Sequence, residues 1–114
     1  MEQPWLKHYP QGVPHDVDMG GFDSLVDVLD SSCAAYGPLP AFSNRGTVIR
    51  YAELEALSRD FAAWLQQSLG LRHGDAVALM MPNLLQVPVA LFGVLRAGLV
   101  VVNVNPQYTA PELR

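Results

Sequence analysis

Cysteine is almost missing from this chain. Cys33 is alone among 114 residues, which excludes an internal disulfide framework and points to a reducing compartment. Basic residues are scarce too. Seven Lys and Arg stand against eleven Asp and Glu, a net charge of −4, so no positive field exists to draw in nucleic acid. The three histidines lie far apart and none has metal-ligand spacing. Glycine is present, but not where it would cradle a phosphate. Gly20-Gly21 does not sit at a strand-to-helix turn, and no Walker or dinucleotide pattern occurs. No Gly-x-Ser-x-Gly elbow is found. Glu53 and Glu55 come nearest to a carboxylate pair, yet i, i+2 spacing on a helix turns them to different sides. The residues alone therefore nominate no catalytic constellation.

A long uninterrupted apolar run is also lacking. From Ala76 to Val104 the only charge is Arg96, but Pro82-Asn83, Gln86, Pro88 and Gly98 cut the stretch into short pieces. A spanning helix needs about 20 continuous apolar residues. Met1–Pro14 has no apolar run after a basic start, so no secretory signal is read there, and a cytoplasmic protein is expected.

What is present is an α/β pattern. Residues 1–23, with three prolines and three glycines, read as an extended arm that Trp5, Leu6 and Tyr9 pin to a surface. Residues 1–32 hold six acids against Lys7, a stretch expected to be solvated. Ser24 with Asp27 reads as a capping box. Leu25, Val28, Leu29, Cys33 and Tyr36 then recur at helical spacing until Gly37-Pro38, where a left-handed cap is expected. Cys33 on that stripe reads as a small buried hydrophobe rather than a nucleophile. Ala41–Ser43 and Thr47–Tyr51 flank Asn44-Arg45-Gly46 as a β-hairpin turned by Asn and Gly. A second helix is expected from Ala52 to Leu69, with Leu54, Leu57, Phe61, Leu65 and Leu69 on its buried face and Gly70 as its stop. His73 in the following loop reads as a surface histidine.

Ala76–Met81 and Leu99–Val104 are continuous apolar strands of the kind covered on both faces, and Leu84–Ala97 is a helix apolar nearly all round. Together they predict a parallel βαβ unit with a right-handed crossover. Two strands do not complete a sheet, so this is an incomplete α/β subdomain: a β-hairpin plus a parallel βαβ unit with flanking helices. Thr109-Ala110-Pro111-Glu112 reads as the capping box of another helix that Arg114 leaves one turn old. The expectation is that these 114 residues open a longer protein.

Two segments carry a resemblance. Ile49-Arg50-Tyr51-Ala52-Glu53-Leu54 resembles the first shared motif of the adenylate-forming (AMP-binding) superfamily, with Arg50 in place of the usual Thr or Ser, a change expected to weaken the cap of the second helix. Leu95-Arg96-Ala97-Gly98 with Val100–Pro106 resembles the second. Within that superfamily the chain is similar to bacterial long-chain fatty-acid–CoA ligases. The likeness rests on Trp5–Pro10, Leu79–Gln86, Pro88–Gly93 and Asn103–Thr109, and it covers nearly the whole sequence.

The resemblance implies that 24–114 is the start of the AMP-binding N-terminal domain of a two-step ligase. ATP and a fatty acid would give an acyl-adenylate with Mg²⁺ assisting, and coenzyme A would then displace AMP. It implies that both motifs are structural and that the catalytic segments lie in the remainder of the same chain. It is compatible with a homodimer and with peripheral attachment to the inner face of the membrane. Asn105, Pro106 and Gln107, after the last strand, are the one carry-over: a coenzyme A contact, or simply a turn into the next helix. Two other readings stay open, an interaction module completed by a partner or second copy, and a ligase for another carboxylic acid.

Overall fold

The computed structural model describes residues 3–18 and 20–113. Met1, Glu2, Met19 and Arg114, which enter the expected arm, acidic stretch and final helix, lie outside the described residues. Ahead of the first helix, residues 3–18 and 20–24 hold one 3₁₀ turn, Leu6–His8, with Trp5 and Tyr9 exposed.

The first helix, α1 (Leu25–Tyr36), starts where its side chains dictate. Ser24 Oγ accepts the Asp27 N–H at 3.1 Å, satisfying one of the helix's orphan donors. The Asp27 carboxylate reaches back one residue further than a capping box requires, accepting from the Asp23 N–H at 3.2 Å. At the other end the expected left-handed cap is not formed. Gly37 stays right-handed at φ −35°, ψ −54°; the helix stops because Pro38 has no N–H and its ring cannot follow into another turn.

Strands β1 (Pro40–Asn44) and β2 (Thr47–Arg50) pair antiparallel, with Asn44 opposite Thr47. The turn is therefore Arg45-Gly46, not the Asn and Gly read from the sequence. Both carry positive φ, +48° and +83°, as a type I′ turn demands.

Helix α2 (Tyr51–Gln67) follows directly. Arg50 has no side-chain acceptor to offer, yet the cap is not left weak. Glu53 Oε2 accepts the Arg50 N–H at 2.8 Å. The first-turn N–H groups of Tyr51 and Ala52 donate to Leu39 and Gly37 carbonyls at 3.2 and 3.0 Å. The Arg50 guanidinium adds a bond to the Pro38 carbonyl. The linker after α1 thus caps α2 with backbone, where a Thr or Ser would have used its hydroxyl.

The buried face of α2 differs from the leucine stripe. It is Leu54, Ser58, Ala62 and Leu65, while Leu57 and Leu69 are exposed and Phe61 half-buried. The reason is helix α3 (Gln86–Arg96), which crosses α2 closely and buries Ala90, Gly93 and Val94. A Cβ added to Gly93 would sit 3.1 Å from the Ser58 carbonyl oxygen and 2.6 Å from Phe61 Cδ1. Small residues face the crossing because the backbones are near each other.

Strands β3 (Ala76–Leu79) and β4 (Val100–Asn103) flank α3 and pair parallel, Ala76 opposite Val100 and Leu79 opposite Asn103. A Schellman motif joins α3 to β4: Gly98 N–H donates to Leu95 and Leu99 N–H to Val94, with Gly98 at φ +74°. Val77, Leu79 and Val101 pack on Ala62, Leu65, Val94, Ala97 and Leu99. A second cluster gathers Leu29, Cys33 and Leu54 under the hairpin. The strands are covered on one face only, as an incomplete sheet requires. Val100 is 50% and Val102 43% exposed. Their apolar sequence suits two covered faces, but the described residues supply a layer for one.

Candidate functional site

Because β3 and β4 are parallel, their carboxyl ends open on the same side of the molecule, the place where open α/β sheets bind ligands. The Val104 N–H donates to Leu79 O at 3.0 Å and holds the two exits together. Between them and α3 lies a crevice of about 290 Å³ lined by Leu79, Met81, Asn83, Val87, Leu91, Asn103 and Val104. The Asn83 carbonyl accepts from Asn44 Nδ2 at 2.9 Å, so the hairpin end is tied to this rim. Its polar side chains are two amides, which can orient a ligand by hydrogen bonds but cannot transfer a proton at neutral pH.

Asn105, Pro106 and Gln107 leave β4 at this rim, all exposed. They form one turn. Asn105 Oδ1 accepts the Gln107 N–H at 2.9 Å and its carbonyl accepts the Tyr108 N–H at 3.0 Å, with Pro106 at the second turn position that its fixed φ favours. The helix expected after it appears as a 3₁₀ turn over Ala110–Leu113, where Thr109 N–H and Oγ1 both bond Glu112 Oε2 at 2.7 Å. Those two bonds hold the Glu112 carboxyl below its ordinary value.

Larger hollows lie elsewhere. One of about 690 Å³ runs along β3 between α2 and α3, with Gln86 as its one polar side chain; another of about 500 Å³ lies under the hairpin. The first lacks the convergent polar groups that fix a ligand's orientation; the second has Ser43, Asn44 and Asn83 in its wall, with Asn44 Nδ2 already bonded to the Asn83 carbonyl.

The reactive side chains are placed as structure, not chemistry. Cys33 is 4% exposed and its thiol donates to the Tyr51 carbonyl at 3.3 Å. Burial pushes the thiol up, with Glu55 adding to it, so the nucleophilic thiolate is disfavoured. His73 is exposed and lies against Gly98. Among the described residues no three of His, Cys, Asp and Glu converge as a metal site, and no helix is long and apolar enough to cross a membrane.

A charged network went unread in the sequence. Arg96, its side chain only 6% exposed, donates from Nη2 to Asp30 Oδ1 of α1 and from Nε to Ser58 Oγ of α2 at 3.0 Å. Ser58 Oγ donates in turn to the Glu55 carbonyl. Asp30 is therefore not simply part of a solvated acidic stretch. The signal was available: a lone charge in an apolar helix must find a partner when buried. The second motif thus acts through packing, with Arg96 joining three helices, Ala97 buried and Gly98 turning the chain into β4.

Comparison with known proteins agrees with this arrangement. The AMP-binding enzyme family matches residues 29–114. A long-chain-fatty-acid–CoA ligase of Yersinia pestis is 57% identical over 99% of this chain and 20% of its own length. One from Escherichia coli O6:H1 is 58% identical over the same shares. Among solved structures, a Mycobacterium tuberculosis fatty acyl CoA synthetase superposes with a TM-score of 0.69 at 31% identity, over 75% of this chain and 17% of that one. The chain spans about a fifth of the length of the curated relatives it matches. With the family match running from α1 through β4, the chain belongs to the AMP-binding enzymes.

Proposed function

We propose that this chain is the N-terminal part of an ATP-dependent long-chain fatty-acid–CoA ligase. The observation that carries the reading is identity of 57–58% over 99% of the chain to proteins of that name. The bare outer face of β3 and β4 supports it, because a sheet with apolar residues on both sides needs a second covering layer. The same face would suit a binding module completed by a partner, but that reading gives no account of identity running through both motifs.

In this reading residues 1–23 are an arm and 24–114 the opening of the AMP-binding domain. The complete enzyme uses ATP, Mg²⁺, a fatty acid and coenzyme A: the carboxylate takes AMP and releases pyrophosphate, then the thiol of coenzyme A displaces AMP. The residues of this chain contribute scaffold, since its crevice at the strand exits holds no acid, base or cation. A cytoplasmic enzyme, peripheral to the inner face of the membrane and able to pair with a second copy, suits a substrate that partitions into bilayers.

The test is ATP–pyrophosphate exchange. The full-length protein carrying this chain should show exchange that depends on long-chain fatty acid, and the 114-residue chain should show none. Exchange by the isolated chain, or none stimulated by fatty acid in the full-length protein, overturns the reading. Within it, Asn105-Pro106-Gln107 is assigned to the nucleotide end of coenzyme A. Gln107→Ala in the full-length enzyme is expected to raise KM for coenzyme A roughly tenfold, the loss of one good hydrogen bond, and to leave exchange unchanged. An unaltered KM removes that assignment alone.

A further inference from the structure

Helix α2 carries two apolar faces, and α3 covers one. The other runs through Phe61, Trp64 and Leu69 beside the crossing; Trp64 is 48% and Leu69 52% exposed, and the Phe61 and Trp64 rings stack at 5.8 Å. These side chains, with Val89 and Ala90 of α3, wall the groove of about 690 Å³, whose lining also includes six consecutive residues, Ala76–Met81. Successive residues of a strand point to opposite faces, so a hollow that touches all six runs along the strand's edge. That edge is the free one, since β4 occupies the other. Asp75 and Leu79 turn their carbonyls to β4, accepting the Val100 and Val104 N–H at 2.8 and 3.0 Å. Ala76, Ala78 and Met80 therefore turn their N–H and carbonyl groups the other way, toward the groove, and no described residue bonds them.

We infer that this groove seats one further β-strand, supplied by the remainder of the ligase's own chain and paired to the free edge of β3. One face of that strand would lie under Phe61, Trp64 and Leu69. This rests on the ligase reading and deepens it. Hydrogen bonding selects the occupant. The unpaired groups recur every second residue in an otherwise apolar wall, and another extended backbone presents donors and acceptors at that interval. An acyl chain could fill the volume but would leave buried N–H and carbonyl groups unsatisfied, each at a free-energy cost. A second copy of β3 is walled by its own α2 and α3, so two such edges cannot close to the roughly 4.8 Å that strand pairing needs. The relatives are matched over 20% of their length, which leaves about four-fifths of a ligase chain to supply the strand. A segment tethered in this way binds at high effective concentration.

The experiment is amide hydrogen exchange on the full-length protein, read residue by residue by mass spectrometry, with pyrophosphate exchange measured on the same sample. The Val77 and Leu79 N–H groups, which face β4, are the internal reference. The expected result is that Ala78 and Met80 exchange about a thousandfold or more slower than an unstructured peptide, as the reference pair does. The slowing should hold at every protein concentration and without fatty acid. Fast exchange at Ala78 and Met80 overturns the inference, because the edge would then be bare or covered by something other than a strand. Slowing that appears only on adding fatty acid gives the groove to a ligand and overturns it. Slowing lost on dilution, in step with a dimer dissociating in sedimentation, gives it to a second copy and overturns it too. The ligase reading is scored separately. Slow amides with no fatty-acid-dependent pyrophosphate exchange would sink that reading and leave a strand supplied by a longer chain of another activity; active enzyme with fast amides would do the reverse.

Discussion

Gly93→Val is expected to cost about 3 kcal/mol or more and to bring this chain close to unfolding. The position lies where α3 meets α2, and an added Cβ would stand 2.6 Å from Phe61 Cδ1, 3.1 Å from Phe61 Cβ and 3.1 Å from the Ser58 carbonyl oxygen. The phenyl ring is half-buried and can rotate away. The carbonyl belongs to a helix and cannot, so the helices must separate. Overpacking a core with extra methylenes costs about 1–3 kcal/mol and occasionally more, and valine adds two methyls beyond the Cβ. For Gly93→Ala the clash is offset by up to about 1 kcal/mol of helix propensity, leaving a net loss of about 1–2 kcal/mol. Small domains have roughly 5–15 kcal/mol in total, and one with a bare sheet face belongs at the lower end. Urea midpoints followed by far-ultraviolet circular dichroism decide it. A wild-type midpoint for Gly93→Val would show that the helices are not in close contact there.

The second large effect is an asymmetry. Removing Asp30 should destabilise more than removing Arg96, although each change breaks the same ion pair. Arg96 is 6% exposed and would be left with a hydroxyl as its only partner, whereas Asp30 is 41% exposed and keeps Arg59 Nη2 at 3.6 Å. An uncompensated guanidinium at that depth costs about 2–4 kcal/mol, the lower half being appropriate because the carboxylate it loses is partly solvated. Arg96→Met removes the charge and retains most of the packing, for about 1–2 kcal/mol; Ser58 still bonds the Glu55 carbonyl. Asp30→Leu combined with Arg96→Met should lie nearer to wild type than Asp30→Leu alone, with a coupling energy of about 1–3 kcal/mol in a double-mutant cycle. Equal losses for the two single variants would contradict the burial argument.

These two sites show where sequence reading reached and where it stopped. The hairpin, three helices and parallel strand pair all follow from period and punctuation, since Ser24, Gly46 and Gly98 are side-chain or backbone specialists whose roles are local. The α2 face does not follow. Leu57 and Leu69 are as apolar as Leu54, and only the approach of α3 makes Ser58 and Ala62 the buried choices. A helix selects its inner face by what can come near, and that partner is remote in sequence. Both faces of β3 and β4 are apolar, so their composition could not reveal which one lies open. The candidate site was less legible still. Asn105 and Gln107 have no chemistry that marks them, and resemblance alone singled them out. The turn that joins them is a finding of the structure.

The open face of the strand pair has a consequence in time. Proteins are made from the amino end, and the relatives are about five times as long as the 113 residues matched here. If the chain opens a ligase of that size, as proposed above, synthesis at roughly 5–20 residues per second would leave Val100 and Val102 uncovered for about 20–90 s. Helices α2 and α3 are both complete by Arg96 and can pair within that interval. The parallel edges cannot. A nascent chain at this stage would be a half-built sheet with an apolar side, the kind of intermediate that aggregates unless that side is covered.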